Sequence, residues 1–179
     1  MTRWVMLLRG INVGGANTIR MAELKAVLET LGAQDVATYI QSGNVVFAGV
    51  IDAAAFAEIV AEEIAHRHGF RPRVLLILDE DFREIVAAYP FSEAEAVPKT
   101  GHVWFLAGPA VPDTAALAAL AGPSERFEIA ARAFYLHAPD GIGRSKLAER
   151  VERLLGVPAT ARNLNTCRKL LEMLDASAG

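Results

Sequence analysis

"VATYIQSGNVVFA", Val36 to Ala48, decides the fold. Two runs rich in β-branched and aromatic residues, Val36–Ile40 and Asn44–Ala48, flank Gln41-Ser42-Gly43. Such a pair, closed by a short Ser-Gly-Asn stretch, predicts an antiparallel hairpin. Upstream, Met21, Leu24, Val27, Leu28 and Leu31 recur at helical spacing, and Gly32 supplies a stop. Downstream, Asp52 caps a segment whose Phe56, Ile59, Val60 and Ile64 form one apolar stripe ending near His68-Gly69. Trp4–Arg9 and Arg73–Leu78 read as strands at the two ends of this block. The order is β-α-β-β-α-β, the split β-α-β unit of ferredoxin-like folds.

The pattern then restarts. Asp79 opens a short helix with Phe82, Ile85 and Val86, and "YPFSEAEAVPKTG" is polar with two prolines. We expect residues 1–88 as a first half, 89–101 as a linker and 102–179 as a second, related half. His102–Leu106 reads as a strand and Asp113–Leu120 as a helix. Arg126–Ala130 with Ala133–Ala138 reads as a hairpin, and Ser145–Leu155 as a helix. A last helix carries Leu164, Cys167, Leu170, Leu171 and Leu174 on one face. The expected fold is α+β, with two ferredoxin-like halves, the second ending in a helix in place of its last strand. The repeat lies in element order, not in matched residues.

Composition bounds the function. The 179 residues are 53% hydrophobic and 22% charged, enough for a core without a disulfide or metal staple. The single cysteine, Cys167, cannot bridge internally, which fits a reducing, cytoplasmic setting. No basic segment leads into a signal-type apolar run, and "VLLIL" is too short to span a bilayer. The net charge of −3 argues against a broad cationic surface for nucleic acid. From Arg144 onward the balance reverses, with seven basic residues against four acidic ones.

Three polar segments stand out. In "RGINVGGANT", Arg9 to Thr18, a strand gives way to Gly and Asn. A ferredoxin-like sheet sets the end of its first strand beside the start of its third. Arg9, Asn12, Asn17, Gln41, Ser42 and Asn44 then converge with the start of the first helix. That edge could hold an anion, with Gly14 and Gly15 letting backbone amides approach. Turn chemistry accounts for the Asn and Gly residues slightly better than a ligand does, and for Arg9 least. In "GIGRSK" there is no P-loop spacing, and Ser145 capping a helix with Lys146 on its surface is the cheaper reading. In "ATARNLNT", Thr160 or Asn163 can cap the last helix, whereas Arg162 suits a phosphate, a carboxylate or an internal ion pair.

No metal-ligand spacing or cofactor fingerprint is present, and no motif names a reaction. His66 and His68 suit a helix C-terminus, His102 and His137 fall on strands, and Cys167 sits on an apolar face.

Together, "LLRGINVGGANTIRMAELKAVLETLGAQDVATYIQSGNVVF", "GIGRSKL" and "ATARNLNT" resemble an uncharacterised bacterial family, domain of unknown function 1697. The resemblance runs from Met6 to about Leu174; Leu164 stands where an aromatic residue is common. It implies a small, soluble α+β protein with ferredoxin-like halves and supplies no reaction, cofactor or catalytic residue. It associates Arg9, Asn12, Gly14, Gly15, Ser42, Gly43, Asn44, Ser145, Lys146, Arg162, Asn163 and Thr166 with the family signature.

The leading expectation is a binding module for a small anion, such as a phosphate-bearing one, at Arg9, Asn12, Gly14, Gly15, Ser42, Asn44, Lys146, Arg162 and Asn163. One alternative is nucleic-acid binding through Tyr39 and Phe47 on the sheet. Others are an enzyme of unrecognised class with a composite site between the halves, and an assembly role through exposed strand edges.

Overall fold

The computed structural model of the protein describes residues 1–177. The chain divides into two compact units, Met1–Arg83 with the residues from Lys169 on, and Glu84–Arg168.

The first unit runs β1 (Arg3–Arg9), α1 (Met21–Thr30), β2 (Gln34–Tyr39), β3 (Asn44–Ala48), α2 (Ala53–His68), β4 (Arg73–Leu78) and the start of α3 (Asp79–Ala87). Its sheet has the order β2-β3-β1-β4, antiparallel throughout. Strand alternation sends Trp4, Met6 and Leu8 of β1 to one face. There they meet Val45 and Phe47 of β3, Leu24 and Leu28 of α1, and Phe56, Val60 and Ile64 of α2. Phe47 stacks on Phe56 with ring centroids 5.6 Å apart. Val5 and Leu7, on the opposite face, are also fully buried, so β1 is apolar along almost its whole length.

The helix ends are written in the sequence. The Asp52 carboxylate accepts from Ala55 N at 2.8 Å, and Gly69 closes α2 in the left-handed region at φ 77°. Within this unit Arg3 bridges to Asp79 at 2.8 Å and donates to the Leu174 carbonyl. Arg83 bridges to Asp175 at 2.8 Å and to Asp79 at 2.6 Å. Leu174 and Asp175 are thus tied to the start of β1 and to α3 by charge-assisted bonds.

The second unit contains α4 (Glu93–Ala96), a 3-10 turn at Pro98–Thr100, β5 (Gly101–Leu106), α5 (Thr114–Leu120), β6 (Arg126–Ile129), β7 (Ala133–His137), α6 (Lys146–Leu155), β8 (Ala159–Asn163) and the first turns of α7 (Leu164–Ala176). Its sheet repeats the first in the order β6-β7-β5-β8. Trp104, Phe134 and Leu136 face Leu117 of α5 and Leu147, Val151 and Leu155 of α6. Asp113 and Ser145 cap α5 and α6 through Ala116 N and Ala148 N, each at 3.0 Å. Ala94 is fully buried, and Tyr89 Oη donates to the Leu136 carbonyl at 2.8 Å.

The fold is α+β with two ferredoxin-like halves, and one feature of the expectation is corrected. The second half does not lose its last strand. Ala159–Asn163 forms β8, paired with β5 from His102↔Asn163 to Leu106↔Ala159. Ala-Thr-Ala-Arg-Asn has weak strand propensity, and the pairing surface of β5 supplies what the segment lacks. Each half is therefore a complete β-α-β-β-α-β unit followed directly by a helix.

Phe47 is nearly inaccessible and fills the space between the sheet and α2. Phe47→Ala is expected to destabilise the protein by about 3–5 kcal/mol, read by chemical denaturation. A loss below about 1 kcal/mol would mean that the first unit repacks around the void.

Candidate functional site

The loop after β1 is a hairpin in miniature. Asn12 N donates to the Asn17 carbonyl and Ala16 N to the Val13 carbonyl, both at 3.0 Å. Gly14 and Gly15 form its apex at φ 59° and 77°, the pair of positive values that a type I′ turn needs. Asn12 and Asn17 both sit at φ 52°, which Asn tolerates best after Gly. The Asn12 side chain is fully engaged. Its Oδ1 accepts from Ile19 N at 2.9 Å, and its Nδ2 donates to the carbonyls of Ile19 and Gln41 at 2.9 and 2.7 Å. Asn17 Nδ2 donates to the Gly10 carbonyl at 2.8 Å. These amides therefore build the loop and tie it to the β2–β3 turn.

That turn is equally fixed. Leu8 N donates to the Gly43 carbonyl at 2.9 Å. Gly43 lies at φ 78°, and a Cβ there would come within 2.7 Å of Leu8 Cβ and 2.8 Å of Ile11 Cδ1, so only Gly fits. Asn44 is fully buried and donates to the Tyr39 carbonyl at 3.1 Å and to Ser42 Oγ at 2.9 Å. The start of α1 is filled by its own chain. Glu23 accepts from Arg20 N at 3.2 Å and from the Arg20 guanidinium at 2.8 Å. The Glu23 carboxylate thus satisfies the amide of the cap residue itself.

Arg9 ends β1 opposite Arg73, the first residue of β4. Cross-strand partners bring their Cβ atoms within about 5.5 Å, and like charges in that position repel. Desolvation, and then the charge of Arg73, hold the Arg9 guanidinium below its ordinary pKa. Strand alternation puts Arg9 on the face of Val5 and Leu7, and Asn44 pairs with Leu7 on that face. Arg9, Arg73, Ser42 and Asn44 thus gather at one end of the first sheet. Arg73 is the member the sequence reading missed. The signal was there in the topology, since β4 must start where β1 ends.

The remaining candidates lie in the second unit. Lys146 is exposed at the first position of α6, behind the Ser145 cap. Asn163 Oδ1 accepts from Thr166 N at 3.0 Å and caps α7, as its residue type suggested. Arg162 lies on β8 opposite Val103 and donates to the Ala161 carbonyl at 2.7 Å. Burial pushes its pKa down to about 10, so it stays cationic at neutral pH. Burial pushes the Cys167 thiol up to about 12, against a smaller opposing pull from Arg162. The thiol stays protonated and belongs to the apolar interior.

Phe47 is packed against Phe56, which removes one of the two aromatics that motivated base stacking. Among the described residues no group of three or more His, Cys, Asp or Glu side chains could hold a metal ion. No helix among them is long and apolar enough to cross a membrane.

The profile of a family described as protein of unknown function, DUF1697, matches residues 1–135. The structure of conserved bacterial protein SP0830 from Streptococcus pneumoniae is similar at a TM-score of 0.69 with 27% sequence identity. The likeness covers 97% of this chain and 98% of that one. Among curated proteins none matches.

One buried group makes stability depend on pH. His102 is buried, its Nδ1 has no hydrogen-bond partner among the described residues, and desolvation lowers its pKa from the ordinary 6.5. The unfolded chain takes up a proton as pH falls through about 6.5, and the folded chain resists it, so stability is lost in that direction. The melting temperature should fall from about pH 7 to pH 5, and His102→Gln should flatten that slope. An identical slope in the variant would place the titrating group elsewhere.

Proposed function

The chain belongs to the DUF1697 family, and on that premise we propose that it is a binding module for a small anion, anchored by Arg9 and Arg73. The observation that carries this reading is the register of β1 and β4, which sets two guanidiniums side by side at one sheet end. Like charges directly opposite across a strand pair repel and concentrate positive potential at this sheet end. An anion that accepts from both turns the repulsion into two charge-assisted bonds. The surrounding turns support the reading, because Asn12, Gly14, Gly15, Gly43 and Asn44 fix the backbone at this end. A phosphate-type oxyanion suits the pair, because two of its tetrahedrally arranged oxygens match one guanidinium fork and leave others for the second.

The test is a calorimetric and thermal-shift titration with inorganic phosphate and pyrophosphate at two salt concentrations. The melting temperature should rise with ligand concentration. Arg9→Ala and Arg73→Ala should each weaken binding by about tenfold or more, with circular dichroism unchanged. Added salt should weaken binding further, since both side chains are exposed. Folded variants that bind these anions as the parent does would overturn the reading, and so would a parent that binds neither.

A further inference from the structure

The outer face of α6 carries a row of cations. Leu147, Val151 and Leu155 are buried and turn one side of the helix into the core of the second unit. Lys146, Arg150 and Arg153 are all exposed. At 3.6 residues per turn they fall within about 60° of one another, on the side away from that core. Arg144, two residues before the helix, is exposed as well. Among the described residues none of these four side chains makes a hydrogen bond or an ion pair. Glu149 stands at pairing distance along the helix from both Lys146 and Arg153, yet no ion pair joins it to either. Arg126 and Arg132 of the same unit are, by contrast, bridged to Glu93 and Glu84.

The chemistry of this face selects its partner. Gly141 to Gly156 contains no aromatic residue, and none of the exposed large apolar side chains belongs to α6. A protein partner is held by an apolar or aromatic centre inside a polar rim. A single-stranded nucleic acid is held by aromatic platforms under its bases. The α6 face has neither, and a bare row of cations matches a regular array of phosphates. Lys146 to Arg153 spans about 10.5 Å of helix axis, and the phosphates of one duplex strand advance by about 3.4 Å each, so the row is about three phosphates long. Three of the four cations are arginines, whose forked donors suit phosphate oxygens. The second unit holds nine basic and nine acidic residues, so the positive potential belongs to this face and not to the whole unit.

We propose that the α6 face, through Arg144, Lys146, Arg150 and Arg153, docks on the phosphate backbone of a nucleic-acid duplex without reading its bases. The site lies wholly in the second unit and does not depend on the Arg9–Arg73 reading. Contacts to phosphate carry no sequence information, so affinity is set by charge and salt alone. Glu149, at the margin of the row, works against it.

The test is fluorescence anisotropy of a labelled 20-base-pair DNA duplex, titrated with the full chain between about 50 and 200 mM salt. The parent should bind with Kd of about 1–100 μM, and log K should fall against log salt with a slope of about −3. Two duplexes of unrelated sequence should bind alike. Lys146→Gln, Arg150→Gln and Arg153→Gln should each weaken binding and make the slope shallower by about one, and the triple variant should lose it. Glu149→Gln should tighten binding. All four positions are exposed, so the melting temperature should stay at the parent value and mark the variants as folded. Arg9→Ala should bind the duplex as the parent does. A parent that ignores the duplex overturns the inference, and so does a folded triple variant that still binds it. Loss of duplex binding in Arg9→Ala alone would move the contact to the first unit and overturn it too. Tighter binding of polyglutamate than of the duplex would overturn it in favour of an acidic protein partner.

Discussion

The register of β1 against its two neighbours is the constraint on which the first unit depends. Trp4, Met6 and Leu8 face the helices while Val5 and Leu7 face away, and all five are buried. A slip of one residue would carry every side chain to the other face. Arg9 would then be driven toward the α1–α2 side, into the apolar core. The apolar strand therefore fixes the polar end. Arg9 opposes Arg73 and Asn44 opposes Leu7 because the five residues before Arg9 leave the sheet no cheaper alignment.

Much of this architecture was legible in the sequence because local and global signals agreed. The Val36–Ala48 hairpin, the caps at Asp52 and Ser145, and the Gly stops are short-range chemistry, read from a few adjacent residues. Asn163 was one of two residues named for the cap of α7, and it fills that place. What escaped was non-local. β8 is built from Ala, Thr, Ala, Arg and Asn, whose own preferences favour no strand, and it exists because β5 offers an unpaired edge. Element order was the available clue, since the first half had already shown a strand after its second helix. Arg73 escaped for a related reason. Nothing in "RPRVLLIL" marks the arginine until strand order sets it beside Arg9.

The Gly-Asn loop divides into residues that the fold accounts for and residues that it does not. Asn12 spends its whole side-chain amide on Ile19 and Gln41, and Gly14 and Gly15 supply positive φ at a tight apex. These are reasons of geometry, sufficient without a ligand. The same holds for Gly43, where a Cβ would collide with Leu8 and Ile11. A family signature concentrated in such positions therefore reports a rigid backbone at least as much as a contact surface. Subtracting them leaves two arginines whose juxtaposition is electrostatically unfavourable and one isoleucine whose conformation is sterically unfavourable.

Those two costs have different origins. Charge repulsion between Arg9 and Arg73 follows from register and could be relieved by one substitution on either strand. The strain at Ile40 follows from turn geometry and could be relieved by Asn or Gly without touching the sheet. Neither relief would disturb the core, since Arg9, Arg73 and Ile40 are all exposed. Residues that define the fold have no such freedom: Leu8 and Phe47 are hemmed in by neighbours, and any change there is felt throughout the packing. Positions that are free to change can carry unfavourable choices at little cost to the core.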